Sequence, residues 1–534
     1  MSQDARYDEE QSAQRRARIL GLSYTDTSAL SNKPLFKGIL DTQEMYSLRV
    51  VPLQVTQNAI TFGITTTTSQ QTINSLVQRF LDQRISYTLI SDAGYRDYMK
   101  LYDPPKQVVY KDISIGTEDR QALIAQVSAT LDQVRADDML AYITQQAHKL
   151  GASDIHIENQ PDGVRIRLRV DGVLHPVAKI SHERTRMLIA AIASAANIST
   201  SAADAQQGHI AQKVKMADGT MVDVNLRVES VPAVNGMDVV MRLFNMQADM
   251  YNLDRLGLSA SERQVVESII KKPNGLVLAV GPTGSGKTTT LYSILNSLNN
   301  DERKIITIED PVEYQFQGIT QVSVTSQTSQ EANFADKLRA VLRLDPDVVM
   351  VGEIRDMDTA KTALQASLTG HLVLSTFHAG SASAALTRLI DVIGENPLFV
   401  SAIRLIMAQR LVRRLDSNTK QAYTPEADVI KRLQSIAETL PPSVQKPDFN
   451  NLQLYRPGKS ADNPFGYKGQ IALREQLVMS DALRKLMQDR STHISSQDIE
   501  ALAVQNGMLT MLHSALLKLV AGETAVEEVF RVLG

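Results

Sequence analysis

The sequence predicts an α/β protein in which smaller α/β units precede a doubly wound parallel sheet. Three observations lead there. Four short apolar runs, Leu276–Val280, Ile305–Ile308, Val348–Val351 and Leu372–Leu374, have the length of buried parallel strands and are separated by helical segments. Each run is followed at once by a polar or glycine-rich segment, and parallel sheets bind ligands at the carboxyl ends of their strands. The chain has 534 residues, which at about 150 per domain calls for three or four domains.

Composition narrows the class further. Apolar residues make up 43% and charged residues 22%, ordinary values for a globular protein and against global disorder. The 56 basic and 59 acidic residues leave a net charge of −3, so no excess draws the chain to nucleic acid or anionic lipid. Cys is absent, which excludes disulfides and thiolate metal sites. No apolar run reaches the ~18 residues of a membrane span. Met1–Leu20 carries four acidic and four basic residues, including the cluster Arg15-Arg16-Ala17-Arg18, and does not read as a secretory signal. Any membrane role is therefore expected to be peripheral, with the cytoplasm as compartment.

The first expected domain covers 1–105. Residues 1–18 are polar and are expected to be mobile. Val50–Val55 and Ala59–Ile64 read as a hairpin turning near Gln57-Asn58. Ile73, Leu76, Val77, Phe80 and Leu81 form one helical stripe, and Ile85–Ile90 reads as a further strand. Asp103-Pro104-Pro105 opens an expected linker over 106–136.

The second domain covers 137–250 and begins with a helix near Asp137. Val164–Val170 alternates four apolar residues with Arg165, Arg167 and Arg169, and Asp171-Gly172 then turns the chain. A second hairpin is predicted at Asn235-Gly236, between Asn225–Val228 and Val239–Leu243. The plain reading of the arginine face is a solvated surface. The third domain, 251–534, opens with the capping box Ser259-Ala260-Ser261-Glu262 and the stripe Val265, Val266, Ile269 and Ile270.

The chemistry lies after the four apolar runs. Gly281-Pro282-Thr283-Gly284-Ser285-Gly286-Lys287-Thr288, followed by Thr289, is a P-loop with strand and helix in the required places. Its glycines let backbone N–H groups face a phosphate, and the following helix adds its positive dipole end. Lys287 would reach the β/γ phosphates and the Thr288 hydroxyl would ligate Mg²⁺. A phosphate site also needs groups that organise the metal and the attacking water, and Glu309 and Glu353 are the candidates. Glu353 is favoured as the carboxylate linked to Mg²⁺ through water and Glu309 as the group aligning the attacking water, with the two roles exchangeable. Alone, each would be a solvated strand cap. His371 and His378 bracket the fourth run and are expected to sense the γ-phosphate; alone, each would be a structural histidine. Neither has the further ligands of a metal set.

These motifs resemble the secretion ATPase superfamily of the GspE/PilB type, the hexameric motors of type II secretion and type IV pili. Gly281–Thr288 is similar to its Walker A, Thr307–Glu313 to its Asp box, Leu342–Asp356 to its Walker B and Thr369–His378 to its His box. The likeness extends to Ala152–Glu158, Arg165–Leu174, Ala408–Leu415, Gly466–Gly469 and the tail Gly507–Val532. It implies a RecA-like, Mg²⁺-dependent ATP hydrolase, a homohexamer at the inner membrane that acts on a platform protein there. The first 105 residues resemble, loosely, the extra domain by which assembly members dock on a membrane-complex partner. Retraction members lack that domain. By the same resemblance, Arg227 and Arg242 sit where members place arginines that reach a neighbouring subunit's nucleotide.

One departure is plain. Most assembly members hold zinc on two CxxC pairs between the segments matching 408–415 and 466–469, and this chain has no Cys. No zinc is expected, and residues 416–465 must hold together by other contacts. This favours a type IVb or plasmid-type pilus assembly ATPase. A type II secretion motor shares all the chemistry. A conjugative DNA-translocating ATPase would carry a basic stripe with stacking aromatics, against which stand the −3 charge, 5% aromatics and absence of Trp. A purely regulatory nucleotide module is disfavoured by the intact Lys287, Glu309 and Glu353.

Overall fold

The computed structural model describes residues 3–30, 33–102, 113, 120–200, 203–215, 220–244, 251–324, 334–393, 397–460, 463, 465–488 and 494–534. It divides into two compact units, Met1–Val109 and Tyr110–Gly534.

The first unit is a four-stranded sheet in the order β1-β4-β3-β2, with β1 Ser23–Tyr24, β2 Val50–Val55, β3 Ala59–Ile64 and β4 Arg84–Leu89. The segment expected to be mobile is instead a helix, Gln3–Leu20. Its polar composition hides a one-sided anchor: Ala13 and Ala17 are buried, Ser91 Oγ donates to Glu10 at 2.8 Å, and Arg96 pairs with Glu9 at 3.1 Å. The helix Gln70–Arg79 stops before Leu81, so the predicted stripe is split. Leu76 is buried, while Val77 and Leu81 face solvent.

Among its described residues the second unit holds two large sheets and a two-stranded one. The first is antiparallel, in the order β7-β6-β5-β10-β9-β8, with β5 Ala152–Gln160, β6 Gly163–Val170, β7 Val173–Ile180, β8 Gln206–Lys215, β9 Met221–Ala233 and β10 Gly236–Phe244. Val164, Ile166 and Leu168 of β6 are buried, as the alternation predicts. Asp171 (φ 46°) and Gly172 (φ 79°) form the two-residue turn, both left-handed as a type I′ hairpin requires. The second half of the expected linker is a helix, Arg120–Gln133, that belongs to this sheet. Val127 and Leu131 are buried, and Ser128 Oγ accepts from Lys179 N at 2.9 Å. Leu123, Val127 and Leu131 carry an i, i+4, i+8 signal inside a polar stretch. The rest of that linker lies largely outside the described residues.

The second sheet is seven-stranded, in the order β13-β12-β14-β15-β11-β16-β19. Its strands are β11 Gly275–Val280, β12 Ile305–Glu309, β13 Ile319–Ser323, β14 Val348–Val351, β15 Leu372–Phe377, β16 Ile403–Leu415 and β19 Tyr467–Val478; β17 Gln421–Tyr423 and β18 Leu454–Arg456 pair separately. All neighbours in it are parallel except β16 and β19. Leu276, Leu278 and Val280 of β11 enter one core, and Val277 and Ala279 enter the core on the other face. Burial on both faces is why these strands read as unbroken apolar runs.

The 416–465 excursion is closed at its base without a Cys. Asp416 accepts from Asn463 Nδ2 at 2.7 Å and Asn418 N at 3.0 Å, and Asp416 N donates to Gly466 O at 2.9 Å. Lys420 Nζ ties the excursion to Gly522 O at 2.8 Å. Among the described residues no helix is long and apolar enough to cross a membrane.

Candidate nucleotide site

The P-loop joins β11 to the helix Lys287–Leu298, and Pro282, Thr283 and Gly284 are exposed at its tip. Gly281 cannot be replaced: a Cβ there would stand 2.5 Å from Ser285 Oγ and 2.6 Å from Gln409 O. Ser285 is buried, and Gly286 (φ 83°) starts the helix. Thr288 and Thr289 occupy its first turn, half-buried. Lys287 Nζ donates to the carbonyls of Gly281 at 3.0 Å and Pro282 at 2.8 Å. Burial lowers the Lys287 ammonium's pKa, Glu353 opposes that, and Arg410 adds to it. Those three side chains therefore share one electrostatic neighbourhood.

Glu353 follows β14 by two residues. One carboxylate oxygen binds the Arg355 guanidinium and the other lies 3.7 Å from His378 Nε2, at the end of β15. Adjacent strand ends thus bring Glu353, His378 and Lys287 together. His371 is not with them. Gly275 N donates to His371 O at 3.2 Å, which sets His371 level with the start of β11. The whole of the six-residue β15 separates it from His378, about 20 Å at 3.3 Å per residue. Its Nδ1 lies 3.1 Å from Ala366 O, at the end of the helix Met357–Leu368. The phosphate-sensing role expected of His371 is corrected on that ground, and the residue has a local structural partner.

The two candidate glutamates differ in setting. Glu309 ends β12 and is only 4% exposed. Its Oε1 accepts from Thr307 at 2.5 Å and Gln321 at 3.2 Å, and its Oε2 accepts from the Tyr292 hydroxyl. Burial raises the pKa of the Glu309 carboxyl above the usual range, and these donors oppose it. Glu353 keeps a partly exposed carboxylate, and Glu309 is the enclosed one.

The arginine face is a partly solvated surface laced by ion pairs. Arg165 pairs with Glu158 at 3.0 Å, and Arg167 binds the same carboxylate. Arg169 and Arg242 share Asp154, at 3.3 and 3.1 Å, and Arg227 pairs with Glu229 at 3.1 Å. Burial and the neighbouring Glu309 raise the pKa of Glu313, while Arg242 and Arg227 lower it. Both arginines therefore bear on Glu313 of their own chain, four residues past Glu309 and at the nucleotide end of the sheet.

Sequence reasoning missed three supporting residues. Gln409 is buried in β16; it accepts from Thr290 Oγ1 at 2.9 Å and donates to Ser285 O at 2.6 Å, bracing the P-loop from the adjacent strand. Its signal was an amide directly after the apolar run Leu405–Ala408. Arg410 Nη2 donates to Gly380 O at 3.1 Å, linking that strand to the loop after His378. Tyr292 bridges Glu309 and, accepting at 3.2 Å, Glu313 N; nothing in its sequence setting announced this.

A P-loop at the end of a central parallel strand, with carboxylate and histidine from the next strands, defines a RecA-like nucleotide-binding protein. Residues 131–531 match the family described as type II/IV secretion system protein, and the chain belongs to that family. The type II secretion system protein E of Xanthomonas campestris is 40% identical over 400 residues, covering 73% of this chain and 66% of its own length. A putative type II secretion system protein E of Escherichia coli is 36% identical over 473 residues, covering 86% of this chain and 89% of its own. The type IV pilus assembly ATPase PilB of Thermus thermophilus is 35% identical over 407 residues, 75% of this chain but 43% of PilB. The X-ray structure of the Legionella pneumophila ATPase DotB shares the fold, with a TM-score of 0.53 at 22% identity over 74% of this chain and 95% of its own.

Proposed function

We propose that the chain hydrolyses ATP in the crevice between the P-loop and the arginine sheet, as one subunit of a homohexameric motor for type IV pilus assembly. The observation that carries the reading is the meeting of Lys287, Glu353 and His378 at one end of the sheet, with Arg227 and Arg242 bearing on Glu313 there. P-loop N–H groups and Lys287 would hold the phosphates. The Thr288 hydroxyl and, through water, the Glu353 carboxylate are the hard oxygen donors that suit Mg²⁺, which supplies charge neutralisation between the phosphates. Glu353 would take the proton of the attacking water, with His378 against its other oxygen. Glu309, enclosed by its donors, would keep Tyr292 and the Glu313 segment in place beneath the site. Arg227 and Arg242 would neutralise the charge growing on the transferred phosphoryl group, an effect of about 10³–10⁵ in rate in other phosphoryl-transfer enzymes.

Closure of the 137–250 domain on the 251–534 domain would accompany each turnover and pass motion to an inner-membrane platform protein. The first unit would dock on a membrane-complex partner, leaving the chain cytoplasmic and peripheral. The missing Cys pairs support the pilus reading. The names of the Xanthomonas and Escherichia relatives favour a second, the type II secretion motor.

The hydrolysis reading is tested on purified protein. Lys287→Ala should lose turnover with its circular dichroism unchanged, and Glu353→Gln should bind ATP but lose most hydrolysis. Wild-type turnover in Lys287→Ala would defeat the assignment. A deletion strain decides between the systems: loss of surface pili supports the first, and loss of exoprotein release with pili intact supports the second.

A further inference from the structure

The arginines of the antiparallel sheet form an ordered row. In register, Arg169 of β6 stands opposite Asp154 of β5, Asp154 opposite Arg242 of β10, and Arg242 opposite Arg227 of β9. Opposed residues point to the same face, so this row sets three guanidinium groups beside one carboxylate on it. Like charges directly opposite repel, and Arg242 would otherwise stand beside Arg227 with no counter-charge on its other side. Asp154 supplies it. The aspartate is 7% exposed and makes three contacts. Oδ1 accepts from Arg242 Nε at 3.1 Å; Oδ2 accepts from Ser153 Oγ at 2.8 Å and lies 3.3 Å from Arg169 Nε.

We propose that Asp154 is a positioning residue that grips Arg242 by Nε and so directs its outer nitrogens at the phosphate crevice beside Glu313. A grip at Nε fixes the plane of the guanidinium while leaving both Nη groups for a ligand. Arg242 needs such a hold, because its side chain is 48% exposed and its length would otherwise let it swing into solvent. The proposal rests on the ATPase reading above.

The test uses the full-length protein and three variants: Asp154→Asn, Arg242→Ala and the double substitution. Asp154→Asn keeps shape and volume and removes the charge. It should lower kcat about 10- to 100-fold, the usual scale for a misplaced catalytic group, with the KM for ATP within about threefold of wild type. In the Arg242→Ala background the same change should cost less than about twofold, because the group it positions is gone. Equal losses in both backgrounds would assign Asp154 to the stability of the sheet and overturn the proposal, as would unchanged turnover in Asp154→Asn. Should Asp154→Asn melt well below wild type, Asp154→Glu gives the deciding comparison: partial recovery of kcat supports the charge-based grip, and no recovery overturns it. Wild-type protein without ATP turnover would instead refute the ATPase reading, and that measurement comes first.

Discussion

Gln409→Ala isolates how a neighbouring strand sets the shape of the P-loop. The amide lies in β16, more than a hundred residues from its partners, with Nε2 on Ser285 O at 2.6 Å and Oε1 receiving Thr290 Oγ1 at 2.9 Å. Gln409 and Thr290 are each 1% exposed, so water does not replace the lost bonds. Each buried group left unpaired costs about 1–3 kcal/mol, and two groups cost about 2 kcal/mol at the least. The loop is exposed at its tip, so the penalty should fall on the nucleotide-binding conformation rather than on the core. At about 1.4 kcal/mol per tenfold, that is a loss of about 30-fold in nucleotide affinity. Gln409→Glu should be worse, since it sets a carboxylate against the Ser285 carbonyl and adds negative charge behind the phosphates. The assay is titration with a fluorescent ATP analogue beside thermal melting. An Ala variant that binds within twofold of wild type while melting lower would refute the reasoning and leave Gln409 as core filler.

Three further predictions follow from particular contacts. Arg227 and Arg242 bear on Glu313 of their own chain; were they to complete that chain's own site, mixed hexamers of Lys287→Ala and Arg227→Ala would show no more activity than the separate variants. Arginines acting across the subunit interface would restore up to about a quarter of the sites at equal mixing, and that recovery would overturn the assignment to the same chain. Glu475 is 2% exposed, accepts from Ala382 N at 2.8 Å, and burial pushes its carboxyl up to about 7. A carboxyl raised in the folded state binds its proton more tightly than the unfolded chain does, so stability should fall as pH rises from about 4.5 to about 7, by about 3 kcal/mol at most. Glu475→Gln should flatten melting temperature over that window, and an unchanged slope would assign it elsewhere. Asp416→Ala should loosen the 416–465 excursion by about 1–2 kcal/mol, read as faster amide exchange there, while EDTA leaves the melting temperature of the nucleotide-free wild type unchanged. A fall with EDTA would mean that a metal, not the Asp416–Asn463 clasp, holds that segment.

What the sequence determined was local. A two-residue Asp-Gly turn, a strictly alternating strand, unbroken apolar runs and a glycine-rich loop ahead of a helix each follow from backbone preferences over about ten residues, and the structure places them as read. Only the tertiary structure decided which of those pieces meet. His371 and His378 are equivalent as neighbours of one apolar run, yet β15 carries them to opposite ends of the sheet because a strand advances about 3.3 Å per residue. Glu309 and Glu353 look alike at strand ends, yet only Glu309 finds Tyr292, Thr307 and Gln321 around it. The helices Gln3–Leu20 and Arg120–Gln133 escaped notice because their buried stripes are narrow and their remaining faces polar. Gln409 braces the P-loop, and Asp154 holds Arg242, across about 120 and 90 residues of chain. Such pairings follow from strand order and register, which long-range packing sets and local periodicity cannot encode.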